Sequence, residues 1–299
     1  MGAPVCILHH HIGTETAFER GLNITTGRAA YEAQIDRLCR DYDVIGLETL
    51  LSGRLPPRPL LMTFDDGFRS VLDVAREILA PRGLPAVFFV NPGLLGPGAI
   101  SLDSAIAWAA NTAGLGAVCR AIGVPVRESI GAVVGQEMAA FGARERSAIK
   151  EKILAVFGPP DLGERAPLLQ PEDLAALCGL GVEIGNHTMS HVHCRALRAD
   201  ELHEEIVTAR ATLEALSGRP VRAFSVPYGH ERDLTPDLFR VLRDSGYRAI
   251  FLVHARSNIA RPAPDIWYRT SLHDEKPGDL AQMLRLMPMV RTLKHRLVG

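Results

Sequence analysis

The chain has 299 residues, 47% hydrophobic and 22% charged, a balance that supports a sizeable core and excludes a disordered chain. A net charge of −1 gives no electrostatic pull toward nucleic acid, and no run approaches the ~20 apolar residues of a membrane span. The N-terminus lacks the basic and apolar regions of a secretory signal, and five scattered cysteines (Cys6, Cys39, Cys119, Cys178, Cys194) without a C-x-x-C pair point to reduced thiols in a cytoplasm.

In chain order, "VCILHH" (5–10) reads as a strand and 29–40 as a helix with apolar positions Ala30, Ala33, Leu38 and Cys39. "YDVIGL" (42–47) is extended, and "RPLLMTF" (58–64) is a β-rich run that stops at Asp65. Residues 68–80 pattern as a helix ended by Pro81 and Gly83, and "PAVFFV" (85–90) is a continuous apolar run of the buried parallel type. Residues 101–170 break this rhythm: Ala- and Gly-rich, mostly helical, with a loop at 158–167, they read as a helical insertion within one domain spanning 1–299. The rhythm resumes with strands at 182–187, 221–226, 248–253 and 266–272, helices at 199–217 and 236–244, and a final helix. Strands alternating with crossover helices predict an α/β fold with a parallel sheet or barrel. The C-terminal "MLRLMPMVRTLKHRLVG" is either a packed helix with a solvated basic face or a weak contact with an anionic membrane surface.

Three features fall at predicted C-terminal strand ends, where parallel α/β folds place their sites. They are Asp65-Asp66 in "LMTFDDGF", His187 and His191 in "NHTMSH", and Pro227-Tyr228-Gly229 in "VPYG". If the chain turns helically after its strand, the H-x-x-x-H spacing brings both imidazoles to one ion. Two imidazoles and one carboxylate make an open, catalytic-type site for zinc or a similar divalent ion, and the second carboxylate is then free to act as a base. Cys194, near His191, is an alternative thiol ligand.

Taken together, "LMTFDDG", "LPAVFFV", "GVEIGNHTMSH" and "AFSVPYG" resemble the polysaccharide deacetylase family, also called the NodB-homology group or carbohydrate esterase family 4, over nearly all of the chain outside 101–170. The resemblance implies a distorted (β/α) barrel and a metal-dependent hydrolase that removes acetyl groups from N-acetylated sugars. It implies Asp65 as catalytic base, Asp66, His187 and His191 as metal ligands, and Tyr228 as an oxyanion donor through its backbone N–H. Two departures stand out. Where many members carry an arginine that orients the base, this chain has Ser225; Arg269 in "WYRTSL" is the replacement candidate, against the alternative that it pairs with a surface acid. The leucine-x-histidine feature that members carry near the C-terminus appears here at the start, as "ILHHH" (7–11), with a helix and "DVIGLETLL" (43–51) after it, as in the circularly permuted branch of exopolysaccharide and poly-N-acetylglucosamine deacetylases. That alignment puts His10 on the general acid and His9 on the branch's tyrosine, with His273 as the rival acid. The expected activity is hydrolysis of the N-acetyl group of an amino sugar in a glycan precursor, lipid- or nucleotide-linked, with peripheral contact at the inner membrane face as an option. A deformylase, or a non-catalytic carbohydrate-binding barrel, is the alternative.

Overall fold

The computed structural model describes residues 2–162, 167–254, 256–259 and 261–286. Ten strands are present among them: β1 (Val5–His9), β2 (His11–Ile12), β3 (Thr25–Thr26), β4 (Asp43–Ile45), β5 (Pro59–Phe64), β6 (Ala86–Val90), β7 (Val182–Asn186), β8 (Ala223–Ser225), β9 (Ala249–Val253) and β10 (Ile266–Ser271). Seven of these close a parallel barrel in the order β1, β10, β9, β8, β7, β6, β5 and back to β1. β4 pairs with the first half of one edge of β5, and β6 with the second half of the same edge. β2 and β3 form a separate short parallel pair.

Strands buried on both faces need apolar side chains in both directions, which is why β5 and β6 are continuous hydrophobic runs. Alternate residues divide between two cores. Cys6, Leu61, Val87, Phe89, Ala249, Phe251 and Trp267 fill the barrel interior. Ile7, Met62, Phe64, Phe88, Ile184, Phe224 and Leu252 pack outward against the surrounding helices. The helix Leu47–Ser52 closes the end where strands begin: Leu47 and Leu50 join the interior cluster, and the Leu47 N–H donates to Glu183 at the start of β7. The extended reading of 42–47 is therefore shortened, since only Asp43–Ile45 is strand and Leu47 opens the helix. Gly46 and Gly53 bound a short helix whose Leu47 and Leu50 lie at helical spacing.

Between β6 and β7 the chain runs through helices Leu102–Ala113, Leu115–Ile122 and Ala143–Phe157, joined by shorter turns around Ile130–Ala140. They share an apolar cluster of their own, built on Ile106, Ala109, Val118, Val133, Met138 and Ile153. Phe18 and Leu22, from the loop between β2 and β3, pack against the same cluster. No helix among the described residues is long and apolar enough to cross a membrane. The basic C-terminal stretch lies outside the described residues from 287 onward.

Candidate metal centre

The rim at the strands' C-terminal ends is built from tight turns. Among the described residues, five non-glycine positions have positive φ, and four of them (Asp66, Thr188, His191 and Tyr228) line this rim. Such conformations cost of order 1–3 kcal/mol each and persist only where surrounding contacts enforce them. After β5, the Asp65 N–H still donates to the His9 carbonyl (3.0 Å), and Asp66 at φ 71° and Gly67 at φ 69° then turn the chain out of the sheet. The turn, not strand alternation, lets two neighbouring carboxylates face one site.

His187 and His191 come together without a helix. Residues after β7 form a loop in which Thr188 and His191 are left-handed. The Thr188 hydroxyl accepts from the His191 N–H at 3.0 Å. The Asn91 side-chain amide donates to the His187 and Thr188 carbonyls from the end of β6. Glu205, in a widened π-type turn of the 199–217 helix, accepts from the Ser190 N–H (2.9 Å) and hydroxyl (2.6 Å). The helical i, i+4 expectation for this motif is thus replaced by a pinned loop that achieves the same convergence.

Asp66 Oδ1 lies 3.3 Å from His187 Nε2 and 3.2 Å from His191 Nε2. The tautomers follow from the other ring nitrogens: His187 Nδ1 is 2.8 Å from the Ser225 carbonyl and His191 Nδ1 is 3.0 Å from Asp103 Oδ2. Those oxygens only accept, so each Nδ1 carries the hydrogen and each Nε2 turns a lone pair toward Asp66. Asp66 Oδ1 is buried with no hydrogen-bond partner. Three electron-pair donors aimed at one point, one of them an orphaned buried carboxylate oxygen, suit a divalent cation. With no cation considered, burial opposes charge on His191, but Asp66 and Asp103 outweigh it and push the imidazole up to about 10.

Asp65 lies beside this group, its Oδ2 3.7 Å from His187 Nε2. Arg269 reaches across the barrel from β10 and holds it at two points, Nη1 to Oδ1 and Nη2 to Oδ2, each 2.7 Å. The same guanidinium donates to Thr63 (3.1 Å) and Ser225 (2.6 Å), and the Ser225 hydroxyl donates to Asp65 Oδ2 at 3.2 Å. Arg269 is fully buried, so it pairs with no surface acid. Burial alone would raise the Asp65 carboxyl, but the charges of Arg269 and His187 take it below its ordinary value.

A further carboxylate arrives from outside the barrel. Asp103, in the first turn of helix Leu102–Ala113, accepts from His191 through Oδ2, from the Tyr228 hydroxyl at 2.7 Å, and from Arg146 at 2.8 Å. Arg146 also donates to the Tyr228 hydroxyl (2.9 Å) and the His191 carbonyl (3.1 Å). Despite burial, Arg146 and His191 hold the Asp103 carboxyl at about 2. The Tyr228 ring stacks on His193 with centroids 3.5 Å apart, so His193 supports the rim and does not line the cavity. Neither Asp103 nor Arg146 is prominent in sequence. The one available signal is that Asp103 is the only charged residue between Arg82 and Arg120.

A cavity of about 220 Å³ opens above these groups, lined by His10, Asp65, Asp66, His187, His191 and Tyr228 and walled by Leu22, Phe68, Leu94, Val134 and Leu168 among others. His10 faces it with a buried Nδ1 that has no partner. His273 does not line the cavity; its Nε2 lies 3.4 Å from the Ser271 hydroxyl. His9 points the other way, between Tyr31 and Phe64, with Nε2 3.1 Å from Gln34. Cys194 is buried outside the metal group, its thiol pushed far up by burial, so it is not a ligand there.

Residues 135–250 match the family model described as polysaccharide deacetylase. Among solved structures, the chain is similar to the deacetylase PplD of Streptococcus pyogenes, with a TM-score of 0.64 and 14% identity over 95% of this chain and 98% of that one. It is also similar to IcaB from Ammonifex degensii, with a TM-score of 0.59 and 18% identity over 97% and 98% of the two chains. The deacetylase domain of BpsB from Bordetella bronchiseptica gives a TM-score of 0.56 and 14% identity over 90% and 96%.

Proposed function

From a chain that carries a polysaccharide deacetylase domain, we propose a metal-dependent hydrolase that removes the N-acetyl group of an amino sugar. The observation that carries this reading is the convergence of Asp66, His187 and His191 beside a carboxylate, Asp65, that is clamped but not itself part of the group. A divalent cation held there, zinc by the nature of the donors, would supply Lewis acidity to the acyl carbonyl and to water.

The chain's own groups divide the remaining work. Asp65, kept ionised by Arg269, takes the proton from the attacking water. His10 gives a proton to the departing amine; burial lowers its pKa and the carboxylates of Asp66 and Asp65 offset only part of that fall, so the imidazolium gives up its proton readily. The Tyr228 hydroxyl is committed to Asp103 and Arg146, so its contribution to the developing oxyanion rests with its backbone N–H. Arg269, in the absence of an arginine at Ser225, is the residue that orients the base. All five cysteines are free thiols, which fits a reducing compartment.

The deciding experiment measures bound metal and acetate release together. Wild type is expected to bind one equivalent of zinc and release acetate from N-acetylglucosamine oligomers. Asp65→Asn and His10→Gln should keep the metal and lose roughly 100- to 10,000-fold in turnover. Asp66→Ala should lose both metal and activity, and an Asp66→Ala protein with stoichiometric zinc refutes the ligand set.

A further inference from the structure

The loop between β2 and β3 is tied down at three levels. Its two ends are joined by the β2–β3 pair itself. Its middle is bonded to the helical segment: the Gly131 N–H donates to the Gly21 carbonyl at 3.1 Å, and the Asn111 amide donates to the carbonyls of Ala17 (3.2 Å) and Arg20 (3.0 Å). Gly21 has φ 88°, and a Cβ there would come within 2.9 Å of Ile130, so the two pieces meet at a position that only glycine suits. Loop and helices together form a strap along one side of the cavity, which Leu22 and Val134 line from its two halves. The wall continues from Ile24 into the Phe68, Leu94 and Leu168 cluster.

We infer that the site accepts the end of a glycan chain, a single uncharged N-acylated sugar ring, and not an internal unit of a polymer. The inference rests on the amino-sugar reading above. An internal unit needs an exit for the chain on both sides of the reacting ring, whereas a terminal unit needs one, and the strap closes a side. The cavity of about 220 Å³ lies under the roughly 300–1,000 Å³ of pockets that hold drug-sized ligands, which leaves room for one ring. Charge is excluded by inventory: no lysine or arginine is among the described residues that line the cavity, and the nearby guanidiniums of Arg146 and Arg269 are spent on Asp103 and Asp65. A phosphate or a uronic carboxylate on the bound ring would therefore be desolvated beside the Asp103 carboxylate, with no lysine or arginine to pair with it. The apolar wall of Leu22, Ile24, Phe68, Leu94, Val134 and Leu168 packs against the apolar face of a ring, and Ser101, Ser104 and Ser271 are the lining hydroxyls left for polar contacts.

The test uses the metal-loaded full chain with N-acetylglucosamine oligomers of two, four and six units, acetate counted per chain and the free amine located by mass spectrometry. One acetate per chain at every length, with the amine on a terminal ring, is the expected result. Several acetates from the hexamer, or an amine on an internal ring, overturn the inference and leave the deacetylase reading intact. No acetate from any oligomer overturns that reading and the inference with it. The doubly substituted Asn111→Ala, Ile130→Ala protein loosens the strap away from the reacting groups. Its yield from the hexamer should rise above one per chain, and an unchanged yield removes the strap as the cause.

Discussion

The barrel rim and the helical segment between β6 and β7 both reach the candidate metal group, and they do so by different means. The rim supplies Asp65, Asp66, His187, His191 and Tyr228 from turns directly after strands, with left-handed backbones at three of these five positions. The helical segment supplies Asp103 and Arg146 from ordinary helical geometry, 43 residues apart in sequence and 2.8 Å apart in space. A donor group needs strained, locally encoded placement because several atoms must meet at one point. A group that only orients a donor or balances its charge can come from any surface that packs nearby.

If the rim depends on its own internal clamp, removing Arg269 should have the largest effect. Arg269→Met leaves Asp65 buried without its cation, and breaking such a pair costs about 3–5 kcal/mol. Arg269→Lys should recover little, because one ammonium does not reproduce the two-point grip. The pH dependence gives the sign. In the wild type, the Asp65 carboxyl lies below its ordinary 3.8, so its stabilising contribution is complete above that value and fades as pH falls through the lower folded value. In Arg269→Met, desolvation is left opposed mainly by His187, the carboxyl moves upward, and protonation relieves the burial. The gap in unfolding free energy between the two proteins should therefore narrow from pH 7 toward pH 4 in metal-free protein. A Tm that matches wild type at pH 7 sinks the clamp.

For the helical segment, the expected effect is smaller and falls on metal affinity. Asp103→Asn keeps an acceptor for His191 but loses the charge that pairs with Arg146, and partners of this kind are typically worth 10- to 100-fold in metal binding. Zinc affinity by competition with a chelator should fall by that factor while the circular dichroism spectrum is unchanged. Equal affinity in the variant would confine the metal centre to the rim and reduce the helical segment to a wall.

What the sequence disclosed follows the same division. The barrel strands read clearly because doubly buried strands are apolar runs, and the three motifs read clearly because each follows a run directly. The H-x-x-x-H spacing suggested the right convergence through the wrong local geometry: the reach comes from Thr188 and His191 in left-handed conformations, and periodicity carries no information about those. "YDVIGL" looked extended through Leu47 because leucine is common to both structures, and Gly46 was the better guide to where the strand stops. Arg146 and Glu205 gave no signal, since a buried charged residue in a helix resembles a solvated one until its partner is known, and Asp103 stood out only as the lone charge between Arg82 and Arg120.

The smallest expected effect concerns Ser225, where the polysaccharide deacetylases that this chain resembles usually carry an arginine. Ser225 accepts from Arg269 at 2.6 Å and donates to Asp65 at 3.2 Å, so it bridges the clamp without carrying its charge. Ser225→Ala removes one short and one long hydrogen bond, while both Arg269–Asp65 contacts and the Thr63 contact persist. A net loss of about 0.5–1.5 kcal/mol in stability follows. Turnover should hold within a few-fold, because the orientation of Asp65 is set by two 2.7 Å contacts that do not involve the serine. Denaturant unfolding and acetate release on the one variant test both numbers. A Ser225→Ala protein as impaired as Arg269→Met would mean that the serine, not the arginine crossing from β10, steadies the base.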